Sequence, residues 1–199
     1  MKKFVSLIAC GMLALGLGCS KQRAEEKSSD QNQIQPATNP TARDQSVTTN
    51  SQSASLDPGD RTFLEKAAVG GKAEVELGQL ALEKAQNDQV KQFAQRMVTD
   101  HSQANSDLVS MGDKMSITLP TELDKEHQDI KNKLSKLNGA KFDKEYMKAM
   151  VDDHQKDVND FQKQSGSAIN SDVKAFASKT LPTLQQHLDL AKSINDSLK

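Results

Sequence analysis

The chain has 199 residues, 35% of them hydrophobic and 27% charged, with a net charge of −1. A near-neutral chain with no Trp, one Tyr and six Phe offers nucleic acids neither an electrostatic footprint nor a stacking platform. Five Pro and ten Gly argue against a turn-rich all-β fold, and an apolar content below the ordinary level of about 45–50% excludes a polytopic membrane protein and implies that part of the chain does not fold.

Lys2 and Lys3 precede an almost unbroken apolar and small-residue run from Phe4 to Gly18. The run is too short to span a membrane as a helix and right for the core of a secretory signal. Residues 1–18 are therefore read as a targeting peptide. Both cysteines, Cys10 and Cys19, fall here. Leu15-Gly16-Leu17-Gly18-Cys19 resembles a bacterial lipoprotein cleavage box, with small Gly18 before the cut and Gly16 where the box usually has Leu. Leu7-Ile8-Ala9-Cys10 matches by letter but leaves an apolar core of only about six residues. Lipidation is expected at Cys19, whose acyl chains would anchor the protein firmly to a membrane. By analogy with Gram-negative lipoproteins, Ser20 after the Cys favours the outer membrane, facing the periplasm. No cysteine remains for a disulfide, a thiolate metal site or a nucleophile.

Residues 19–58 are rich in Ser, Thr, Gln, Asn and Asp, with Pro36, Pro40 and Pro58. Such a segment cannot bury enough apolar surface to offset its ordering entropy. It is expected to be a disordered tether with an r.m.s. span of roughly 35 Å.

From residue 59 to the end the hydrophobic period is that of helices. Asp60 is the expected cap of a helix running through Phe63, Ala67, Gly71, Glu74, Gly78 and Leu82. Asn87 or Asp88 restarts the chain, and Val90, Ala94, Met97, His101, Ala104, Leu108 and Met111 form one stripe. Leu119-Pro120 is expected to stop that helix. Thr121 with Asp124 resembles a capping box for a short charged helix ending at Asn138-Gly139. A third long helix carries Phe142, Tyr146, Met150, His154, Val158 and Phe161. Ser171 is expected to cap a fourth, with Val173, Ala177, Thr180, Leu184, His187, Ala191 and Ile194 on its stripe. The fold class expected is all-α: an antiparallel four-helix bundle with a short extra helix between its second and third members. Pro182 either kinks the last helix or starts it. Gly70-Gly71 reads as a close-packing site.

Two weak repeats run through these helices. Met97-Val98-Thr99-Asp100-His101 matches Met150-Val151-Asp152-Asp153-His154, and Val90-Lys91-Gln92-Phe93-Ala94 matches Val173-Lys174-Ala175-Phe176-Ala177. They indicate duplication or shared packing demands.

Four ionisable residues interrupt the apolar stripes, one per long helix: Glu74, His101, His154 and His187. A buried polar group left unpaired costs roughly 1–3 kcal/mol, so these must be hydrogen-bonded, paired or metal-bound. One Glu and three His could hold a transition metal ion. The alternative is a polar core layer bonded to Glu74, Tyr146, Thr180 or backbone. Counting from the turns puts Glu74 and His101 at one level but separates His154 from His187 by about 7 Å. The paired Glu-x-x-His of di-metal bundles is absent, since Val98, Val151 and Leu184 stand three residues before the histidines. His127, among Lys125, Glu126 and Asp129, reads as a solvated surface residue. Within one helix Asp100 cannot orient His101, nor Asp153 His154, because adjacent residues point about 100° apart. Glu74 and Glu76 diverge for a similar reason. The methionines are spaced as core fillers, and no Gly-x-Ser-x-Gly elbow supplies a nucleophile. No catalytic residue is assigned.

Glu74-Val75-Glu76-Leu77-Gly78, Met97-Val98-Thr99-Asp100-His101, Gly139 to Tyr146 with Phe142-Asp143, Val151-Asp152-Asp153-His154, and Thr180-Leu181-Pro182 with His187 resemble the domain-of-unknown-function 4142 family over about Asp60 to Ile194. The resemblance implies a ferritin-like helical bundle in bacterial envelope proteins and supplies no reaction. The expectation from the sequence is an envelope lipoprotein whose bundle is a non-catalytic binding or stress-related module with an unknown protein or envelope partner and no required cofactor. The alternative is a metal-binding bundle for storage, buffering or redox work, built on the inner Glu/His layer.

Overall fold

The computed structural model describes residues 56–199. The targeting peptide, Cys19 and the tether up to residue 55 lie outside the described residues. Among the described residues there are five helices and no strand: α1 (Pro58–Lys84), α2 (Asp88–Met115), α3 (Lys125–Ser135), α4 (Gly139–Ser167) and α5 (Ser171–Ser197). Four long helices and a short one between α2 and α4 match the expected elements.

The helix ends follow local capping chemistry and correct several sequence expectations. Asp57, not Asp60, caps α1, accepting from the Gly59 and Asp60 amides with Pro58 at the first helical position. Asn87 caps α2 as expected. That helix ends at Met115, where Ser116 turns left-handed at φ 55°, ahead of Leu119-Pro120. Asp124 alone caps α3 through the His127 amide, without Thr121. The short helix ends at Ser135, and Gly139 (φ 59°) opens α4. Asn170, not Ser171, caps α5. Pro182 lies inside α5, so the helix does not begin there.

α1 packs on α2 and α4, α5 packs on α4 and α2, and α3 lies against α1 and α4. Gly78 lets α1 and α2 approach closely: a Cβ there would sit 2.9 Å from Val98 Cγ2 and 3.1 Å from the Ala94 carbonyl. A Cβ at Gly71 would collide with Asn105 Oδ1. Apolar side chains form two clusters. One, around Leu77, Phe93, Met97, Phe142, Tyr146 and Met150, lies towards the α1–α2 turn. The other, around Phe63, Leu64, Leu108, Phe161, Val173 and Leu184, lies towards the opposite end. Glu74, His101, His154 and His187, all buried, occupy the level between them.

Each tight turn is pinned by a buried aspartate from the other helix pair. Asp143 in α4 accepts from the Gln86 and Asn87 amides at 3.0 and 2.9 Å, holding the α1–α2 turn. Asp60 in α1 accepts from the Ile169 and Asn170 amides at 3.1 and 2.7 Å and from the Gln164 side chain, holding the α4–α5 turn. These reciprocal anchors fix the axial register of the two hairpins. Replacing Asp60 with Ala leaves two backbone donors and a buried amide unpaired. We expect Asp60→Ala to lose about 2–3 kcal/mol in urea unfolding. A loss below about 0.5 kcal/mol, the scale of an ordinary surface change, would contradict the pinning role.

Candidate metal centre

The three histidines converge. Ring centroids lie 5.6 Å apart for His101 and His154, 5.4 Å for His101 and His187, and 5.4 Å for His154 and His187. One ring nitrogen of each lies within 4.8 Å of the other two. This corrects the expected separation of His154 from His187. α4 runs on to Ser167, which reduces the level difference. Side chains also tilt towards their own helix N-terminus. In antiparallel α4 and α5, His154 leans away from the connecting turn and His187 leans towards it, so the remaining offset closes.

Each ring is held by a specific contact. His154 Nδ1 donates to the Met150 carbonyl at 2.9 Å and lies 3.3 Å from Glu74 Oε1. His187 Nε2 bonds Asp100 Oδ2 at 2.9 Å, and Arg96 Nε lies 3.5 Å from the same oxygen. These contacts place the protons on His154 Nδ1 and His187 Nε2. The opposite nitrogens, His154 Nε2 and His187 Nδ1, are buried without a hydrogen-bond partner among the described residues, as is His101 Nε2. Burial, reinforced by the other two imidazoles, lowers the His101 pKa well below its usual range. Burial also takes His154 down to about 4 and lowers His187 against the pull of Asp100. All three rings are therefore neutral at neutral pH, the form that ligates metals.

Glu74 belongs to the layer but stands behind His154, outside the triad of close nitrogens. Burial first, then the nearby charges of Asp153 and Asp157, pushes its pKa well up. Neither Glu74 oxygen nor Asp153 Oδ2 finds a donor among the described side chains. The raised pKa of Glu74 favours its protonated form, which brings a donor into this acid cluster. Asp157 is pushed up to about 8 by burial and by Asp153.

His127 is not a surface residue. It is buried, with Nδ1 2.7 Å from Asp124 Oδ1 and Nε2 3.4 Å from Asp153 Oδ1. Its charged neighbours in sequence concealed this, yet His127, Ile130 and Leu134 share one face of α3 at i, i+3, i+7 spacing. Asp100 and Asp153 do not orient the histidines next to them, as expected, and pair across helices instead. Their signal was the Asp-His doublet itself. Each doublet turns its His to the centre and its Asp sideways, to a histidine of another helix: Asp100 to His187, Asp153 to His127. Glu76 diverges from Glu74 as expected and pairs with Lys131 and Lys72 at the surface.

With the fold and the histidine layer described, the class is an all-helical domain with a buried three-imidazole cluster. The chain belongs to the family "Domain of unknown function (DUF4142)", whose model matches residues 45–194. Among solved structures it is similar to a DUF305 fragment from Deinococcus radiodurans, at TM-score 0.64 and 14% identity, covering 71% of this chain and 98% of that one. A DUF305 protein from Streptomyces coelicolor aligns at TM-score 0.61 and 12% identity over 70% and 93%. CopM in its Cu(II)-bound form aligns at TM-score 0.61 and 14% identity over 70% and 97%. At such identities the likeness is one of fold. No curated protein matches the sequence. No described helix is long and apolar enough to cross a membrane.

The His127 pair has a pH signature. The hydrogen bond and charge of Asp153, with help from Asp124, raise the His127 pKa from 6.5 to about 9. A raised folded-state pKa stabilises fully below the unfolded value and is lost as pH rises through the folded one. Stability against urea should therefore fall between about pH 6.5 and 9, and the fall should shrink in His127→Gln. Parallel profiles for the two proteins would refute the pairing.

Proposed function

We propose that this domain is a transition-metal-binding module of the bacterial envelope, with His101, His154 and His187 as the ligands. The observation that carries the reading is the set of three buried, neutral imidazoles, each with a nitrogen unpaired among the described residues and one nitrogen within 4.8 Å of those of the other two rings. A self-sufficient polar layer would pair those nitrogens, because each buried unpaired group costs roughly 1–3 kcal/mol. A bound cation offers all three lone pairs one partner.

Two features of the surroundings support this reading. Asp100 behind His187 and the Met150 carbonyl with Glu74 behind His154 have the form of outer-shell partners that fix tautomer and orientation. Three nitrogen donors without thiolate or inward carboxylate suit copper, zinc or nickel rather than calcium or magnesium. The shared fold with CopM in its Cu(II)-bound form puts copper first among the ions to try. Bonds of 2.0–2.1 Å to a tetrahedral ion would set the nitrogens about 3.3 Å apart. The present spread of up to 4.8 Å therefore has to close slightly on loading. Glu74 acts in this reading as an orienting group for His154, not a ligand.

The four long helices are proposed to form an antiparallel, ferritin-like bundle, supported by the packing of α1 on α2 and α4 and of α5 on α4 and α2. Its work would be storage, buffering or electron transfer of the bound ion. Residues 1–18 are proposed to direct export, with lipidated Cys19 anchoring the domain in the outer membrane through the polar tether.

Protein purified without chelator should carry about one equivalent of a single transition metal by elemental analysis. His101→Ala should abolish it, and Asp100→Ala should weaken it by about 10–100-fold in a competition titration. Absence of a saturable site for Cu(II), Zn(II) and Ni(II) would overturn the metal reading. The anchor has its own test: Cys19→Ala should accumulate as unprocessed precursor and lose its lipid label. Unchanged processing would assign the cut elsewhere.

A further inference from the structure

Two spaces meet at the histidines. A cleft of about 280 Å³ opens between α2 and α5, with His101 and His187 in its wall. Beneath it lies a small cavity of about 20 Å³ reaching α1 and α4, enough for one water-sized occupant. His101, Ala104, Thr180 and Leu184 line both spaces, so cleft and cavity share a wall. His154 lines neither. The triad thus has a closed side, backed by His154, and a side that faces the solvent-connected cleft.

Small side chains keep the inner space open. Ala67, Gly71 and Ala104 border it, and Asn105 extends into the room that Gly71 leaves. Its polar lining consists of His101, Asn105, Asp157 and Thr180. Asn105 and Thr180 can donate hydrogen bonds. Asp157, at a pKa of about 8, is largely protonated at neutral pH and can donate as well. A cavity walled by donors and a histidine suits a small anion or water rather than a second cation.

We propose that the metal centre keeps one open coordination position facing the α2–α5 side, where it takes a single small anion or water that enters through the cleft. The inference rests on the three-histidine metal reading and adds to it an exchangeable fourth ligand. Three protein ligands plus an exogenous one is the arrangement of reactive centres, whereas structural sites close with four protein ligands.

Azide is the probe. The full chain loaded with Cu(II) is titrated with sodium azide at constant pH and ionic strength, and azide-to-copper charge-transfer absorption is followed. We expect a new saturable band with one azide per copper. Ala104→Leu, which fills the shared wall, should raise the half-saturating azide concentration by about tenfold or more, equivalent to at least 1.4 kcal/mol, at unchanged copper stoichiometry. Thr180→Leu blocks the same wall from α5 and gives the same reading if the first variant does not fold. Bound copper without an azide band would overturn the open position. An azide response unchanged in both variants would overturn the cleft as its route. Failure of Cu(II) to bind at all sinks the metal reading, and this inference with it, and is distinguished by the copper content measured before azide is added.

Discussion

The structure turns on one constraint: three imidazoles share the middle of a helical core, and each keeps a nitrogen that no described residue satisfies. Desolvation makes the rings neutral, which avoids the far larger cost of burying charge. It does not remove the cost of the unpaired lone pairs. Apolar clusters on either side of the layer and the aspartate anchors at the two turns provide the rigid frame in which that cost is carried. The anchors matter because convergence of side chains from three helices depends on axial register. A slip of one residue moves a helical side chain by about 1.5 Å and rotates it by about 100°, enough to take an imidazole out of the cluster.

The helices were legible because their apolar residues keep a strict three-four spacing, a pattern that survives without any knowledge of the partner helix. The boundaries were less so. Asp57, Asn170 and Asp124 cap where Asp60, Ser171 and Thr121 were expected, and all six are good capping residue types. At α1 tertiary demand decides: Asp60 binds the α4–α5 turn and cannot also serve its own helix. The inner Glu and His residues were found from the stripes, but their meeting was not. Counting residues from a turn gives Cα levels, and the convergence of His154 and His187 depends on opposite side-chain tilts in antiparallel helices. His127 was missed because polar neighbours in sequence dominate a short helix, while its burial comes from α4 lying across it.

The Val90/Val173 repeat acquires a physical meaning in the fold, whereas the Met97/Met150 match has a different offset and does not follow it. Asp60 and Asp143, the two turn anchors, are 83 residues apart, as are the capping residues Asn87 and Asn170 and the matched Val90 and Val173 segments. The α1–α2 hairpin and the α4–α5 hairpin thus repeat one design, each anchoring the other's turn. Glu74 and Asp157 stand at the same spacing, and burial raises both acids. The equivalence breaks at the centre. His154 corresponds to Gly71, and His187 to Ala104. The second hairpin supplies two imidazoles where the first has Gly and Ala, and the first supplies His101 where the second has Leu184. A symmetric frame has been given an asymmetric middle, with bulk and donors on one side and the small cavity on the other.

That asymmetry also bears on the chemistry open to the layer. In a carboxylate-rich di-metal bundle the acids point inward and bridge the ions. Here Asp100 faces His187 Nε2, Asp153 faces His127 and Glu74 stands on the far side of His154, while Asp157 lines the small cavity beside His101. Among the described residues the converging ligand set is three imidazoles without a carboxylate, a poor match for oxygen-seeking ions such as calcium and magnesium. In the proposed metal centre, nitrogen donors oriented from behind by hydrogen bonds would discriminate by softness and by coordination number. A carboxylate that fixes an imidazole's tautomer raises the basicity of the opposite nitrogen, so in the proposed centre Asp100 would tune His187 without occupying a coordination position.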